Sequence, residues 1–404
     1  MRLRTLDLFC GGGGSSWGAK AAGAEIICGV DAWGIATETF GTNFPEAKAV
    51  QQKLDENSDP ESIGISGDVD LILSSPECTN HTCAKGSRDR DEASKRTAIY
   101  VLNFARKLRP RWIVLENVIH MRSWKGYDPL VSDIEALGYH VRPQVLDASD
   151  FGVPQTRKRL FLLCDREAMP SEVRRTKVTP PLVNNILDPD GTWNCSPLEN
   201  GKRAQSTLER AARGIESLGR GVPFLIVYYG SDGAGGWQPL DRPIRTLTTL
   251  DRFGLVTWRK GIPMLRMLQV SELRRAMGFD HNYILNKGTR RDKIRLLGNG
   301  VCPPVMKAIV RTLVDVKPSV DVSPDMCINV GPLIDNTTAA YASCGQTDQG
   351  PLAHNVRCQT SIFLEQALDI VKTQASMTKM STDEINTLIK KLTKDMRLSH
   401  QYSR

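Results

Sequence analysis

The chain is 404 residues long and carries 53 Lys and Arg against 45 Asp and Glu, a formal charge of +8. That length exceeds the usual single-domain range, so two domains, or a domain with an appendage, are expected, while the modest positive balance suits a polyanionic partner without requiring one. No apolar run approaches the roughly 18 residues of a membrane span, and the start reaches Asp7 and a glycine run too early for a signal peptide, which points to an intracellular protein with no membrane attachment.

The first thirty residues predict a strand over Thr5 to Phe9, a loop from Cys10 through Gly11, Gly12, Gly13 and Gly14 to Ser16, a helix over Trp17 to Gly23, and a strand over Glu25 to Val30 that ends in Asp31. Successive glycines let backbone approach a ligand at the following helix's amino end, and an acid after the second strand can accept hydrogen bonds from ribose hydroxyls. This is the layout of an adenosine-cofactor pocket, although such turns also close ordinary βα units. No Gly-Lys-Ser/Thr follows, so a triphosphate-binding loop is not expected.

Val69 to Leu73 is short, apolar and β-prone and reads as a central parallel strand. Pro76 breaks its hydrogen-bond ladder just before Glu77 and Cys78. In open α/β sheets ligands sit beyond the carboxyl ends of the strands, so Cys78 is a nucleophile candidate; a buried structural thiol is the alternative. Ten cysteines scattered without framework spacing fit reduced thiols. A metal site from Cys78, His81 and Cys83 would have only three ligands and is set aside.

Beyond a polar, basic loop from Thr79 to Arg96, the pattern predicts a helix over Thr97 to Leu108 and a strand over Trp112 to Leu115 that delivers Glu116-Asn117-Val118. A helix near Pro129 to Leu137, a strand over Tyr139 to Leu146, the segment Gln155-Thr156-Arg157-Lys158-Arg159 and a strand over Leu160 to Cys164 come next. Strand and helix in this alternation mean an α/β fold with a doubly wound, mostly parallel sheet. Glu116, at the end of an apolar strand, would have its pKa raised and carry a proton it could donate, unless it is simply an exposed strand-end acid. Arg157 and Arg159 alternate, so both face one side and could pair with a carboxylate or hold a substrate oxygen.

From about Pro170 regularity lapses among prolines, and short strands over Phe224 to Tyr229, Ile244 to Thr249 and Gly254 to Trp258 suggest a smaller, loop-rich second domain. Basic residues crowd Arg259 to Arg295, read as a phosphate-contacting surface in preference to a solvated charged face. Ser271 is expected to cap a helix over Glu272 to Met277 closed by Gly278. Gly298-Asn299-Gly300-Val301 is expected to open a long apolar helix to about Val316 that packs back on the first domain. After Lys317, Ile362 to Gln374 and Asp383 to Met396 read as amphipathic helices of a packing or partner-binding appendage, the second with a capping-box pattern at Ser381 and Glu384.

As an ordered set, Asp7 to Gly14, Pro76-Glu77-Cys78, Glu116-Asn117-Val118, Gln155 to Arg159 and Gly298 to Val301 resemble the motif series of the C5-cytosine DNA methyltransferases, over roughly residues 3 to 315. The resemblance implies a Rossmann-like, mostly parallel sheet of the class I methyltransferase kind over residues 1–176, completed by 296–316. It further implies a target-recognition domain over 177–295 and leaves 317–404 as a C-terminal helical extension. It implies S-adenosylmethionine as cofactor, held by Phe9, Cys10, Gly11, Gly12, Gly13, Gly14, Asp31, Pro76 and Asn299. Cys78 would add to C6 of a cytosine flipped out of double-stranded DNA, with Glu116 on N3, Arg159 holding the base and Arg157 counted with the catalytic set, before methyl transfer to C5 and elimination.

Such an enzyme would act as a monomer, and a cognate restriction endonuclease on a separate chain is a compatible partner. It would work in a prokaryotic cytoplasm or nucleoid, from a phage genome, or in a eukaryotic nucleus. Three positions depart from the family pattern: Glu77 stands where proline is usual, Asp31 where glutamate is usual, and Asp55, with Lys53 competing, is nearest to the acid expected after the third strand. The competing readings are a transfer-RNA cytosine-5 methyltransferase of the same family and a catalytically silent DNA-binding homologue.

Overall fold

The computed structural model of the chain describes residues 3–76, 96–176, 179–229 and 235–314. Cys78, Glu77, His81, Cys83, most of the Thr79 to Arg96 loop and everything after Val314 lie outside the described residues. The chain divides into two compact units, Met1–Ser319 and Val320–Arg404, and the described residues all belong to the first.

Its elements run β1 (Leu3–Leu8), α1 (Gly14–Ala21), β2 (Ala24–Asp31), α2 (Gly34–Asn43), β3 (Lys48–Gln51), β4 (Leu71–Ser74), α3 (Val101–Leu108), β5 (Trp112–Asn117), α4 (Tyr127–Ala136), β6 (His140–Asp147), β7 (Gln155–Thr156) and β8 (Lys158–Asp165). Seven strands form one sheet in the order β3-β2-β1-β4-β5-β8-β6. The five from β3 to β5 are mutually parallel, and β8 runs antiparallel to both β5 and β6. β4 and β5 are buried along their whole length, and their apolar stretches Leu71 to Leu73 and Trp112 to Leu115 suit strands covered on both sheet faces.

Alternate side chains serve the two faces. Leu71, Leu73 and Val114 join the core under α1 and the C-terminal helix. Leu6, Leu8, Ile72, Ile113 and Leu115 join the opposite core, with Leu102, Phe104 and Ala105 of α3 and Leu130 and Ile134 of α4. The parallel order places the carboxyl ends of β2, β1, β4 and β5 along one edge, where the antiparallel β8 begins. The glycine loop, Asp31, Pro76, Glu116 and Arg159 lie at or next to these strand ends.

The remaining elements are β9 (Ser196–Pro197), α5 (Gln205–Leu218), β10 (Phe224–Val227), β11 (Trp237–Pro239), β12 (Ile244–Arg245), β13 (Phe253–Arg259), β14 (Ile262–Met267), α6 (Val270–Ala276), α7 (Arg290–Asn299) and α8 (Pro303–Val314). A second sheet, β11-β10-β13-β14-β9, is antiparallel throughout. α5 covers it by burying Ala211 with Phe224, Ile226, Val256 and Leu265. α8 returns to the first sheet, and a Cβ on Gly18 of α1 would lie 2.3 Å from the Pro303 carbonyl oxygen, so α1 and the start of α8 meet backbone to backbone.

Several local expectations are corrected. The strand expected over Ile244 to Thr249 shrinks to β12, which pairs with β7 outside the second sheet, Ile244 against Gln155. Gln269 caps α6 in place of Ser271, with Glu272 closing the capping box; the Ser271 hydroxyl instead donates to Asp188 Oδ2 at 2.8 Å. Gly298 and Asn299 end α7 and do not open α8.

The basic run from Arg259 to Arg295 is no uniform phosphate surface either. Arg266 is paired with the fully buried Glu272, Arg275 with Asp188 and Arg290 with Asp251, while Arg274 donates to the Tyr283 carbonyl. These guanidiniums hold the second half of the chain together. Among the described residues no helix is long and apolar enough to cross a membrane.

Candidate active site

The glycine loop leaves β1 through Phe9, whose φ is +59°, and turns again at Gly11 and Gly13, with φ of +52° and +86°. Asp31, at the end of β2, pins it: Asp31 Oδ2 accepts from Gly11 N at 2.9 Å and Oδ1 from Trp33 N at 2.9 Å. Burial pushes the Asp31 carboxyl up, opposed by donation from Trp33 and Gly11 and by the charge of Arg295. Each carboxylate oxygen keeps a lone pair beyond these bonds, so accepting from a ribose hydroxyl stays open to it.

Glycine is required here for reasons of space. A Cβ on Gly14 would stand 2.4 Å from the Val301 carbonyl oxygen, which brings the Gly298 to Val301 turn against the loop. Gly11 faces the other way, with nothing within 4 Å of an added Cβ. That open side offers a ligand bare backbone.

Beside the loop, Ser75 N donates to the Leu8 carbonyl at 3.1 Å, carrying the pairing with β1 one residue past β4. Pro76 is buried, and its carbonyl accepts from Asn117 Nδ2 at 3.4 Å, while Asn117 Oδ1 accepts from Val118 N at 2.8 Å. The side chain of Asn117 therefore ties the end of β5 to the last described residue before Cys78.

Glu116 is 6 % exposed, and Arg159 Nε on β8 lies 3.2 Å from its Oε1. Burial pushes the Glu116 carboxyl up, and the charges of Arg159 and Arg157 only partly oppose this. Desolvation of a buried pair can exceed its Coulombic gain, so proximity to arginine does not make Glu116 an ordinary ionised acid. The alternative of an exposed strand-end acid is removed.

Arg157 departs from expectation. It is 3 % exposed, and its guanidinium donates to the carbonyls of Leu247, Gly298 and Gly300 at 3.0, 2.8 and 2.9 Å. It holds the turn on both sides of Asn299 in place of facing a substrate. Asn299 itself is exposed. Gln155, fully buried, donates to the Ala276 carbonyl at 3.0 Å and accepts from Leu247 N at 2.8 Å.

Asp55 does not reach toward the glycine loop. Its Oδ1 accepts from Asn57 N and the Ser58 hydroxyl, closing a local turn that holds its carboxyl below the ordinary value. Burial pushes the thiols of Cys10, Cys28, Cys164 and Cys302 up, Cys28 to about 12 and Cys302 to about 11, which leaves them protonated near neutrality. The described cysteines are free thiols.

Residues 3–315 match the model of the C-5 cytosine-specific DNA methylase family. The chain belongs to this family. The chain is 33% identical to the type II methyltransferase M.AgeI of Thalassovita gelatinovora over 40% of its own length and 39% of that protein's, so the match spans about two fifths of that relative. Against the type II methyltransferase M.HgiDI of Herpetosiphon aurantiacus it is 33% identical over 60% of its length and 80% of that protein's. A putative DNA modification methyltransferase encoded within an Escherichia coli prophage superposes with a TM-score of 0.55 at 20% identity, covering 77% of this chain and 98% of the other. That likeness supports the methylase fold.

Sequence reasoning named the glycine loop, Asp31, Glu116 and Arg159, and the structure gathers these at one edge. It gave no role to Asn117, Gln155, Asn43 or Tyr283. These polar side chains act across the chain, and a polar residue embedded in an apolar or motif segment was the only local sign of them.

Proposed function

We propose that this chain transfers a methyl group from S-adenosylmethionine to C5 of a cytosine extruded from duplex DNA. The observation that carries the reading is Glu116: a buried carboxyl, pushed up by burial, beside Arg159, on the strand next to the one that leads through Pro76 toward Cys78. Such a group can hold a proton at N3 of cytosine while Arg159 orients the ring. The Cys78 thiolate would then add to C6, and the electron density delivered to C5 makes that carbon nucleophilic. S-adenosylmethionine, when bound, supplies the electrophilic methyl group. Loss of the C5 proton and elimination of the thiolate restore the ring and the enzyme.

The glycine loop suits the cofactor in its geometry: Gly11 presents open backbone, and Asp31 stands beside it with a half-buried carboxylate. Phe9, Cys10, Gly11, Gly12, Gly13, Gly14, Asp31, Pro76 and Asn299 would hold it, with Arg157 fixing the turn that carries Asn299. Extrusion gives the access that a stacked duplex denies. Residues 177–295 would read the target sequence, and the protein would act as a monomeric modification enzyme matched to a separate restriction endonuclease.

Tritiated S-adenosylmethionine incubated with unmethylated duplex DNA is expected to label C5 of cytosine. Cys78→Ser is expected to abolish the label while DNA binding persists. Label on transfer RNA and none on DNA would favour the RNA-acting reading, and absence of label on both nucleic acids would overturn the proposal.

A further inference from the structure

The segment between α6 and α7 is fastened to the glycine loop although some 270 residues separate them in the chain. Tyr283 is 2 % exposed, and its hydroxyl donates to the Gly12 carbonyl oxygen at 2.6 Å, across 271 residues of sequence. Its ring stacks on Phe279 with centroids 3.9 Å apart and meets Trp17 of α1 edge-on at 5.3 Å.

Neighbouring residues lock the segment in register. Ile284 N donates to Asn43 Oδ1 and Asn43 Nδ2 donates to the Ile284 carbonyl, both at 2.8 Å, and Trp17 Nε1 donates to Asp280 Oδ2 at 3.1 Å. A Cβ on Gly12 would lie 2.7 Å from the Tyr283 hydroxyl. With tyrosine at 283, position 12 therefore has no room for a side chain.

A peptide unit is planar, so anchoring both of its polar ends fixes its orientation. The unit between Gly12 and Gly13 is anchored in this way: its oxygen accepts from Tyr283, and its N–H donates to the Cys10 carbonyl at 2.8 Å. Gly11, on the open side, immediately precedes that anchored unit, and its own N–H is held by Asp31 Oδ2 at 2.9 Å. We propose that Tyr283 is a positioning residue for the methyl donor, setting the glycine-loop backbone through the Gly12 carbonyl without touching the ligand. This rests on the reading of the loop as the S-adenosylmethionine site. It also makes donor binding depend on a segment that lies beyond the second sheet in the chain.

The test is Tyr283→Phe in the full chain, which removes one hydroxyl and keeps the stacked ring. Losing one buried hydrogen bond corresponds to roughly tenfold in an equilibrium constant. The Kd and KM for S-adenosylmethionine are therefore expected to rise about tenfold, with kcat and the KM for unmethylated duplex DNA within about twofold of wild type. Asp280→Ala, at an exposed position, unties the same segment from α1 and is expected to raise the donor Kd by a smaller factor.

A structural role alone would lower the thermal midpoint or the active fraction without moving the donor KM. Unchanged donor affinity in a folded Tyr283→Phe protein overturns the inference; should that variant fail to fold, unchanged affinity in Asp280→Ala does so. Wild-type protein that binds no S-adenosylmethionine overturns the cofactor reading itself, on a different sample.

Discussion

Glu116 is the residue whose environment says most about chemistry. A carboxyl that burial has pushed up keeps its proton to higher pH than an exposed acid. Whatever depends on that proton is fully present in acid and lost as pH rises through the folded-state pKa. For methyl transfer the expected consequence is an alkaline fall in kcat/KM, measured with tritiated donor across the pH range. Glu116→Gln can still donate a hydrogen bond to a ring nitrogen but cannot exchange a proton, so its rate is expected to fall by roughly 10² to 10⁴ and its remaining activity to lose that alkaline limb. A Gln variant with the wild-type profile would assign the titration elsewhere. Glu116 was legible because a lone acid after four apolar strand residues is out of keeping with its surroundings. The role of Arg157 was not legible: its spacing from Arg159 gave the shared face correctly, but three carbonyls from distant segments, reached only in the folded chain, claim its guanidinium.

The elements found from sequence are those whose local pattern agrees with their burial. β4 and β5 are buried end to end and are built on the apolar runs Leu71 to Leu73 and Trp112 to Leu115. α5 escaped notice because its buried stripe is Thr207, Ala211 and Gly214, helically spaced but small. The space is taken by Phe224, whose ring would meet a Cβ on Gly214 at 2.5 Å. α7 was hidden in a run of arginines and lysines, and β7 and β12 are two residues each, defined only by one another. Small residues also set the contact of α1 with α8. Gly18→Ala would gain at most about 1 kcal/mol of helix propensity, yet its methyl would stand 2.3 Å from the Pro303 carbonyl and 2.8 Å from Met306 Cβ. Overpacking against backbone costs about 1–3 kcal/mol, so the clash wins. The variant is expected to melt a few degrees below wild type by circular dichroism; an unchanged or higher midpoint would mean that the two helices can slide apart freely.

At the scale of the whole described unit, the two sheets share one apolar core, in which Leu71, Leu73 and Val114 of the first cluster with Leu225, Val227 and Leu255 of the second, and the segment from Gln155 to Arg157 ties them together a second time with hydrogen bonds. Gln155 and Thr156 pair with β12, and Thr246 donates from its hydroxyl to the Thr156 carbonyl at 2.7 Å. Arg157 then bonds Leu247 on one side and the α7–α8 turn on the other. Such a strut couples the stability of the second sheet to that of the first, so the described unit is expected to unfold in one cooperative transition. In urea, far-ultraviolet circular dichroism and the fluorescence of Trp237 and Trp258, isolated by replacing the other tryptophans, should give coincident curves. Arg157→Ala leaves three carbonyl oxygens without their donor. At about 1–3 kcal/mol for each buried group left unsatisfied, the loss is several kcal/mol, enough to lower the midpoint and let the second sheet melt first. Arg157→Lys keeps the charge but not the fork that reaches all three carbonyls, so it is expected to restore only a minor part of the loss. Two separate transitions already present in the wild type would show that the strut positions Asn299 without linking the sheets.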